Sequence, residues 1–292
     1  MKHILYLLIA LALLQGCSKN AETYSGPFKE IFSQFDTPTT NLSPEEIKKI
    51  SDQVKEDLQA MGTNVLTCVV EEMNSYKIAK MDYPWALDKD VGRRFQNLLI
   101  VFGLLGKDME PIIPEFVTNL NPGRNFVAAI YGLLNCGTLG MPYLEEALNH
   151  PDENIRLAVT LALVGCRNTI EGWEPSPELS KAVHAASVSL LGNEDLRIYG
   201  IVGVARYCTD PEESISILMD RFTKETNAIM RVAFIKLSAQ VYREFSCSDK
   251  SFLAALEEIA KDENNEEMVR KVAQNILKDI AEQESTSKEH HQ

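Results

Sequence analysis

Gly137-Thr138-Leu139-Gly140-Met141-Pro142-Tyr143-Leu144-Glu145-Glu146-Ala147-Leu148-Asn149-His150-Pro151-Asp152-Glu153-Asn154-Ile155-Arg156 contains, in twenty residues, a turn, a short helix, a break and the start of a second helix. Pro142 suits the first turn of a helix, where its missing N–H has no intrahelical partner to lose. Leu144, Ala147 and Leu148 then recur at three- and four-residue spacing, the period of a helix with one apolar face. His150-Pro151 ends that helix, and Asp152 precedes the next one as a capping residue would. The second helix opens on acidic and amide residues followed by the pair Ile155-Arg156.

Both halves of this unit recur. The glycine turn appears at Ala60-Met61-Gly62, Leu105-Gly106 and Cys136-Gly137, each followed by an apolar helical run. After the last two, a proline lies five residues on, Pro111 and Pro142, and is expected to open the next helix. The apolar–arginine pair returns as Leu196-Arg197 behind Asn193-Glu194-Asp195, as Met230-Arg231 behind Thr226-Asn227, and as Val269-Arg270 behind Asn265-Glu266-Glu267. The arginines stand 41, 34 and 39 residues apart. Asn41-Leu42-Ser43-Pro44-Glu45-Glu46 starts the helical region, with Ser43 as cap, Pro44 at the first helical position and Glu46 closing a capping box. A period of 34 to 41 residues built from two helices defines a stacked array, because one pair cannot bury its apolar face alone.

The unit resembles the HEAT repeat of the short bacterial kind: a first helix opened by proline, then a second opened by Asp or Asn and an apolar–Arg pair. The resemblance covers residues 44–281 and is best over 106–165. Departures exist. The alanine usual three residues past the arginine occurs only as Ala273, with Val159, Gly200 and Phe234 elsewhere. The resemblance implies an all-α fold, an α-solenoid of about five to six antiparallel helix pairs in a superhelix, with second-helix faces lining its concave side. Two long connections interrupt the period, residues 74–89 with Tyr83-Pro84-Trp85 and residues 168–177 with Trp173. Loops that interrupt a repeat often carry its binding residues, so Tyr83, Trp85 and Trp173 are candidate partner-binding residues. Folding back over gaps in the array is the alternative use of these aromatics.

Ahead of the repeats, Lys2 precedes an uncharged apolar run over residues 4–14, which has the form of a secretory leader. As a helix it would span about 16 Å, roughly half a bilayer's hydrocarbon core, and so could not anchor the chain by itself. Leu14-Gln15-Gly16-Cys17 resembles the bacterial lipobox, although Gln15 stands where a smaller residue is usual. That resemblance implies cleavage after Gly16, lipid attached to Cys17, and anchoring through several acyl chains, each buried methylene contributing about 0.8 kcal/mol. Ser18 rather than aspartate follows Cys17, so the inner-membrane retention signal of such lipoproteins is absent, which favours the outer membrane. The expected organisation is a signal peptide at 1–16, a lipidated N-terminus and flexible spacer at 17–41, the repeats at 42–281 and a disordered tail at 282–292.

The formal charge of −13 argues against nucleic acid and anionic lipid head groups as partners of the surface as a whole. The acidity is spread along the chain, the pattern of a solvated surface; an acidic groove for a cationic partner is the sharper alternative. Cys68, Cys136, Cys166, Cys208 and Cys247 are widely spaced without a C-x-x-C, so neither zinc nor a dithiol redox pair is signalled. Cys136 and Cys166 fall in matching register. Adjacent repeats pack 8–10 Å apart, however, beyond the roughly 7 Å a disulfide tolerates, so small core residues are expected and a bridge is the alternative. His150 sits at a helix end and His184 among aliphatic residues; neither belongs to a catalytic motif. Glu71-Glu72 and Glu145-Glu146 are consecutive, about 100° apart on a helix, and poorly placed as acid/base pairs. The arginine series, repeating with the array, is expected to be architectural, pairing with acidic caps.

These readings converge on a non-enzymatic, lipid-anchored scaffold at the bacterial cell envelope. It would be bound to the membrane through Cys17 and would meet a protein partner, with no cofactor, metal or nucleic acid. The alternatives are an enzyme or small-ligand protein on the same fold, with a closed pocket near His184 or Trp173, and a structural envelope spacer.

Overall fold

In a computed structural model of the chain, residues 28, 43–76, 89–166, 173–245, 247 and 250–289 are described. All regular structure among them is helical. The chain divides into two compact units, Met1–Glu174 and Pro175–Gln292.

The first unit contains α1 (Pro44–Ala60), α2 (Asn64–Ser75), α3 (Lys89–Leu105), α4 (Ile113–Asn119), α5 (Phe126–Asn135), α6 (Met141–Ala147) and α7 (Glu153–Cys166). The capping box forms at the start of α1. Ser43 Oγ accepts from the Glu46 backbone N–H at 3.3 Å, and the Glu46 carboxylate accepts from the Ser43 N–H at 2.7 Å. The three glycines of the turn motif, Gly62, Gly106 and Gly137, all take left-handed backbone angles, with φ of 58°, 53° and 63°. A side chain would be strained there, so the recurring glycine marks a recurring backbone geometry. One expectation needs correction. Pro111 does not open an α-helix; it lies inside a 3-10 segment, Gly106–Ile112, and Pro114 occupies the first turn of α4. Pro142 does sit in the first turn of α6.

Packing in this unit alternates. Helices α2 and α3, α4 and α5, and α6 and α7 pair with each other, while α3, α5 and α7 pack one on the next. That position explains the composition of α5, where Phe126 through Ile130 and Gly132 through Leu134 are all buried. A helix covered by its own partner and by two neighbours must be apolar all round. Phe102 of α3 meets Phe116 of α4 edge-on at 5.6 Å. Such pairs add about 0.5–1.5 kcal/mol beyond the area they bury.

The second unit repeats the scheme with α8 (Pro177–Leu190), α9 (Arg197–Arg206), α10 (Pro211–Lys224), α11 (Ala228–Glu244), α12 (Ser251–Lys261) and α13 (Glu267–Glu289). Helices α8 and α9, α10 and α11, and α12 and α13 pair, and α9, α11 and α13 pack in series. The apolar stripe of α10, Ile215, Leu218 and Phe222, follows helical spacing, as does Phe252, Leu256 and Ile259 on α12. Both stripes enter a core with Ile201, Val204, Phe234, Ile235, Val241, Val269 and Ala273. Helix α13 ends the series. It buries Val269, Ala273, Ile276 and Ile280 and turns Lys271, Gln274, Asn275, Lys278 and Asp279 to solvent.

One further expectation is corrected. The tail predicted over 282–292 is helical as far as Glu289; Glu282-Gln283-Glu284-Ser285-Thr286-Ser287 contains no glycine or proline to stop the helix. Within the predicted spacer at 17–41, Phe28 is fully buried.

Candidate functional site

Of the residues singled out from the sequence, Cys17, Tyr83 and Trp85 lie outside the described residues. Trp173 is half-buried, four residues before the start of α8. His150 Nδ1 accepts from the Asp152 backbone N–H at 3.0 Å, a local turn contact. His184, on α8, is buried, and its Nε2 lies 3.1 Å from Ser214 Oγ on α10. Burial lowers the His184 pKa, against the opposing pull of Glu213 and Asp210, so the ring favours its neutral form. Ser214 is itself fully buried, which makes the pair a tie between helices.

The arginine series has specific partners. Arg156 Nη1 donates to the carbonyls of His150 and Pro151, closing its own loop. Arg197, at the start of α9, forms an ion pair with Glu225, just ahead of α11. Burial alone would raise the Glu225 pKa, but the Asn227 backbone N–H and Arg197 outweigh it and hold the carboxyl below its ordinary value. Arg231, at the start of α11, reaches Glu266 Oε2 at 2.7 Å and Asn265 Oδ1 at 2.6 Å, just ahead of α13, and lies over the Phe222 ring at 4.5 Å. In this unit, then, the arginine of one second helix caps the approach to the next.

The consecutive carboxylates separate as their spacing requires. Glu71 is exposed; Glu72 is 1% exposed and held by Arg94 of α3, Nε to Oε1 at 2.8 Å and Nη2 to Oε2 at 3.2 Å. Arg94 also donates to Ser75 Oγ and lies over the Tyr76 ring. Cys136 is a free, buried thiol, so the bridge to Cys166 does not form. Burial first, then the nearby Glu110, pushes the Cys136 pKa up to about 12. That thiol stays protonated and is a poor nucleophile.

A concavity lies in the second unit, and the sequence reading did not single it out. Helices α10 and α12, the first helices of consecutive pairs, face each other across a groove of about 770 Å³. Its floor is Ile215, Met219, Phe222, Phe252, Ala255 and Ile259, and four carboxylates, Glu212, Asp220, Glu258 and Asp262, stand on its lining. Among the described residues on that lining, Arg231 supplies the only positive charge, and its Nη atoms are engaged by Glu266 and Asn265. On α10, apolar residues at 215, 218, 219 and 222 lie within about 100° of the helix circumference, the ordinary width of a core-facing stripe, so the sequence carried no separate signal for the groove. Separate from the groove, Ile198, Ile229 and Met268 are exposed near the starts of α9, α11 and α13. Ile229 is the most exposed, at 72%.

Among the described residues, no cluster of His, Cys, Asp or Glu is placed to hold a metal ion, and no helix is long and apolar enough to cross a membrane. Comparison of the chain with protein-family models, with curated proteins and with solved structures finds no match.

Proposed function

We propose that this chain is a lipid-anchored, non-enzymatic scaffold of the bacterial cell envelope, an α-solenoid of antiparallel helix pairs that holds a protein partner. The observation that carries the reading is the alternating packing within each unit, with second helices stacked in series and first helices outside them. Stacked pairs bury one another's apolar faces and leave extended, open surfaces of the kind that repeat proteins use for binding. The exposed Ile198, Ile229 and Met268 on successive second helices add apolar points of contact. The Leu14-Gln15-Gly16-Cys17 sequence supports the anchor, and Ser18 supports the outer membrane as its location.

A detergent phase-separation experiment on cells making the full chain tests the anchor. The chain is expected in the detergent phase, and the Cys17→Ser variant in the aqueous phase. Equal partitioning of the two would overturn lipid attachment. In-cell crosslinking followed by mass spectrometry tests the scaffold: one recurrent protein neighbour is expected, and its absence would favour a passive spacer.

A further inference from the structure

We infer that the groove between α10 and α12 is a docking site for a cationic amphipathic segment of a partner protein, one that sets apolar side chains on the floor and lysine or arginine on the rim. The inference rests on the scaffold reading for its setting and on the groove for its chemistry.

The floor comes first. Ile215, Phe222, Phe252 and Ile259 are nearly covered by the core beneath them, while Met219 and Ala255 are only half-buried and form the apolar surface left to a ligand. Methionine is a soft, adaptable lining that re-packs around differently shaped side chains. A volume of about 770 Å³ falls within the roughly 300–1,000 Å³ of ordinary ligand clefts. Along α10 the lining runs from Glu212 to Thr223, about 16 Å, enough for roughly five residues of extended peptide or about three turns of helix.

Charge then selects the occupant. Glu212, Asp220, Glu258 and Asp262 are all exposed. Asp220 shares its charge with Lys224 at 2.7 Å, and Asp262 accepts from the Asn264 side chain at 2.9 Å. With Arg231 already held by Glu266 and Asn265, the field over the apolar floor is negative. Low-dielectric walls lined by one sign of charge concentrate that field. An anionic ligand is repelled, and a neutral apolar one gains nothing from the carboxylates. A second copy of this chain, formally −13, brings the wrong charge. A basic amphipathic segment answers both the floor and the rim.

The test uses the purified full chain and a fluorescein-labelled peptide of about ten residues that alternates leucine with lysine, read by fluorescence anisotropy. Binding is expected, and a lysine-only peptide of the same charge should bind about tenfold more weakly. Ala255→Trp, which fills the floor, should weaken binding about tenfold, as should the double variant Glu212→Lys/Glu258→Lys on the exposed rim. Glu146→Lys, in the first unit, should leave affinity unchanged. The rim variant keeps the test decisive should Ala255→Trp disturb folding, which circular dichroism would report. Equal binding by all variants, or equal binding of the lysine-only peptide, would overturn the proposal. So would displacement of the peptide by a fatty acid that binds more tightly to the groove, or self-association of the chain that Ala255→Trp abolishes. Failure here is separable from failure of the scaffold reading. A partner crosslinked in cells and still captured by the rim variant would refute the groove and leave the scaffold standing.

Discussion

Gly137 and Gly140 lie three residues apart and differ in what a side chain would cost. Gly137 has a left-handed backbone and open space around it, so Gly137→Ala meets only the conformational penalty, about 1 kcal/mol. At Gly140 the backbone is ordinary, but a Cβ would fall 1.9 Å from the Leu133 carbonyl oxygen. Gly140→Ala must therefore move main chain between α5 and α6, and should cost about 3 kcal/mol or more. Urea unfolding of the two variants should show that order of midpoints. Titration supplies a second residue-scale prediction. His184 and Glu225 both have pKa values below their ordinary 6.5 and 4.5, the first through burial and the second through the Asn227 N–H and Arg197, which overcome burial. For each, the unfolded chain takes up its proton first as pH falls. The stability these two groups contribute is therefore fully present above pH 6.5, begins to fall below it as the unfolded histidine charges, and falls again below about 4.5. Thermal melts across that range should show both losses, and His184→Gln should flatten the upper one while leaving the lower.

Helix ends carry the element scale. Asn125, 2% exposed, caps α5 by accepting from the Ala128 N–H at 3.3 Å, and donates to the Met73 carbonyl at 3.2 Å near the end of α2. Asn125→Ala leaves two buried backbone groups unpaired and should cost about 2–3 kcal/mol. Asn125→Ser, which keeps the cap alone, should recover about 1 kcal/mol of that by urea unfolding. Signals of this local kind made the elements readable in sequence. Ser43 and Glu46, three residues apart, define a capping box, and Gly62, Gly106 and Gly137 each mark a turn whose left-handed backbone favours glycine. Where local and tertiary demands part, the reading fails. Pro111 has the right spacing for a helix start, yet the chain stays 3-10 until Pro114. The groove could not be read at all as an object, because it belongs to no single helix. The residues that make it, on α10 and α12, are about forty positions apart and are brought face to face by the packing of α11 on α13. Glu72 was hidden for the same reason: its partner Arg94 is 22 residues away across a connection.

At the scale of the whole molecule, what matters is how strongly one pair feels the next. In an array, stability is the sum of each unit and its interfaces. Arg231 ties the α10–α11 pair to the α12–α13 pair through two charge-assisted bonds and a stacked phenyl ring. Arg231→Ala should lower the stability of the second unit by about 2 kcal/mol and broaden its urea transition as the last pair loosens first. Arg231→Lys should restore little of this, since an ammonium cannot reach both acceptors in the fork geometry or lie flat on Phe222.

The direction of those ties also bears on how the chain is made. Arg197 finds Glu225 28 residues later, and Arg231 finds Asn265 and Glu266 34 and 35 residues later. Each arginine is therefore synthesised before the group that will hold it. At about 5–20 residues per second on the ribosome, the wait is on the order of 1–7 s. During that interval the growing end of the second unit carries an unanswered guanidinium, and only the arrival of the next pair relieves it. A nascent chain halted after α11 should thus be held less tightly at its leading edge than the finished chain is at the same helix, and completion of the protein acts backwards to lock what was built before.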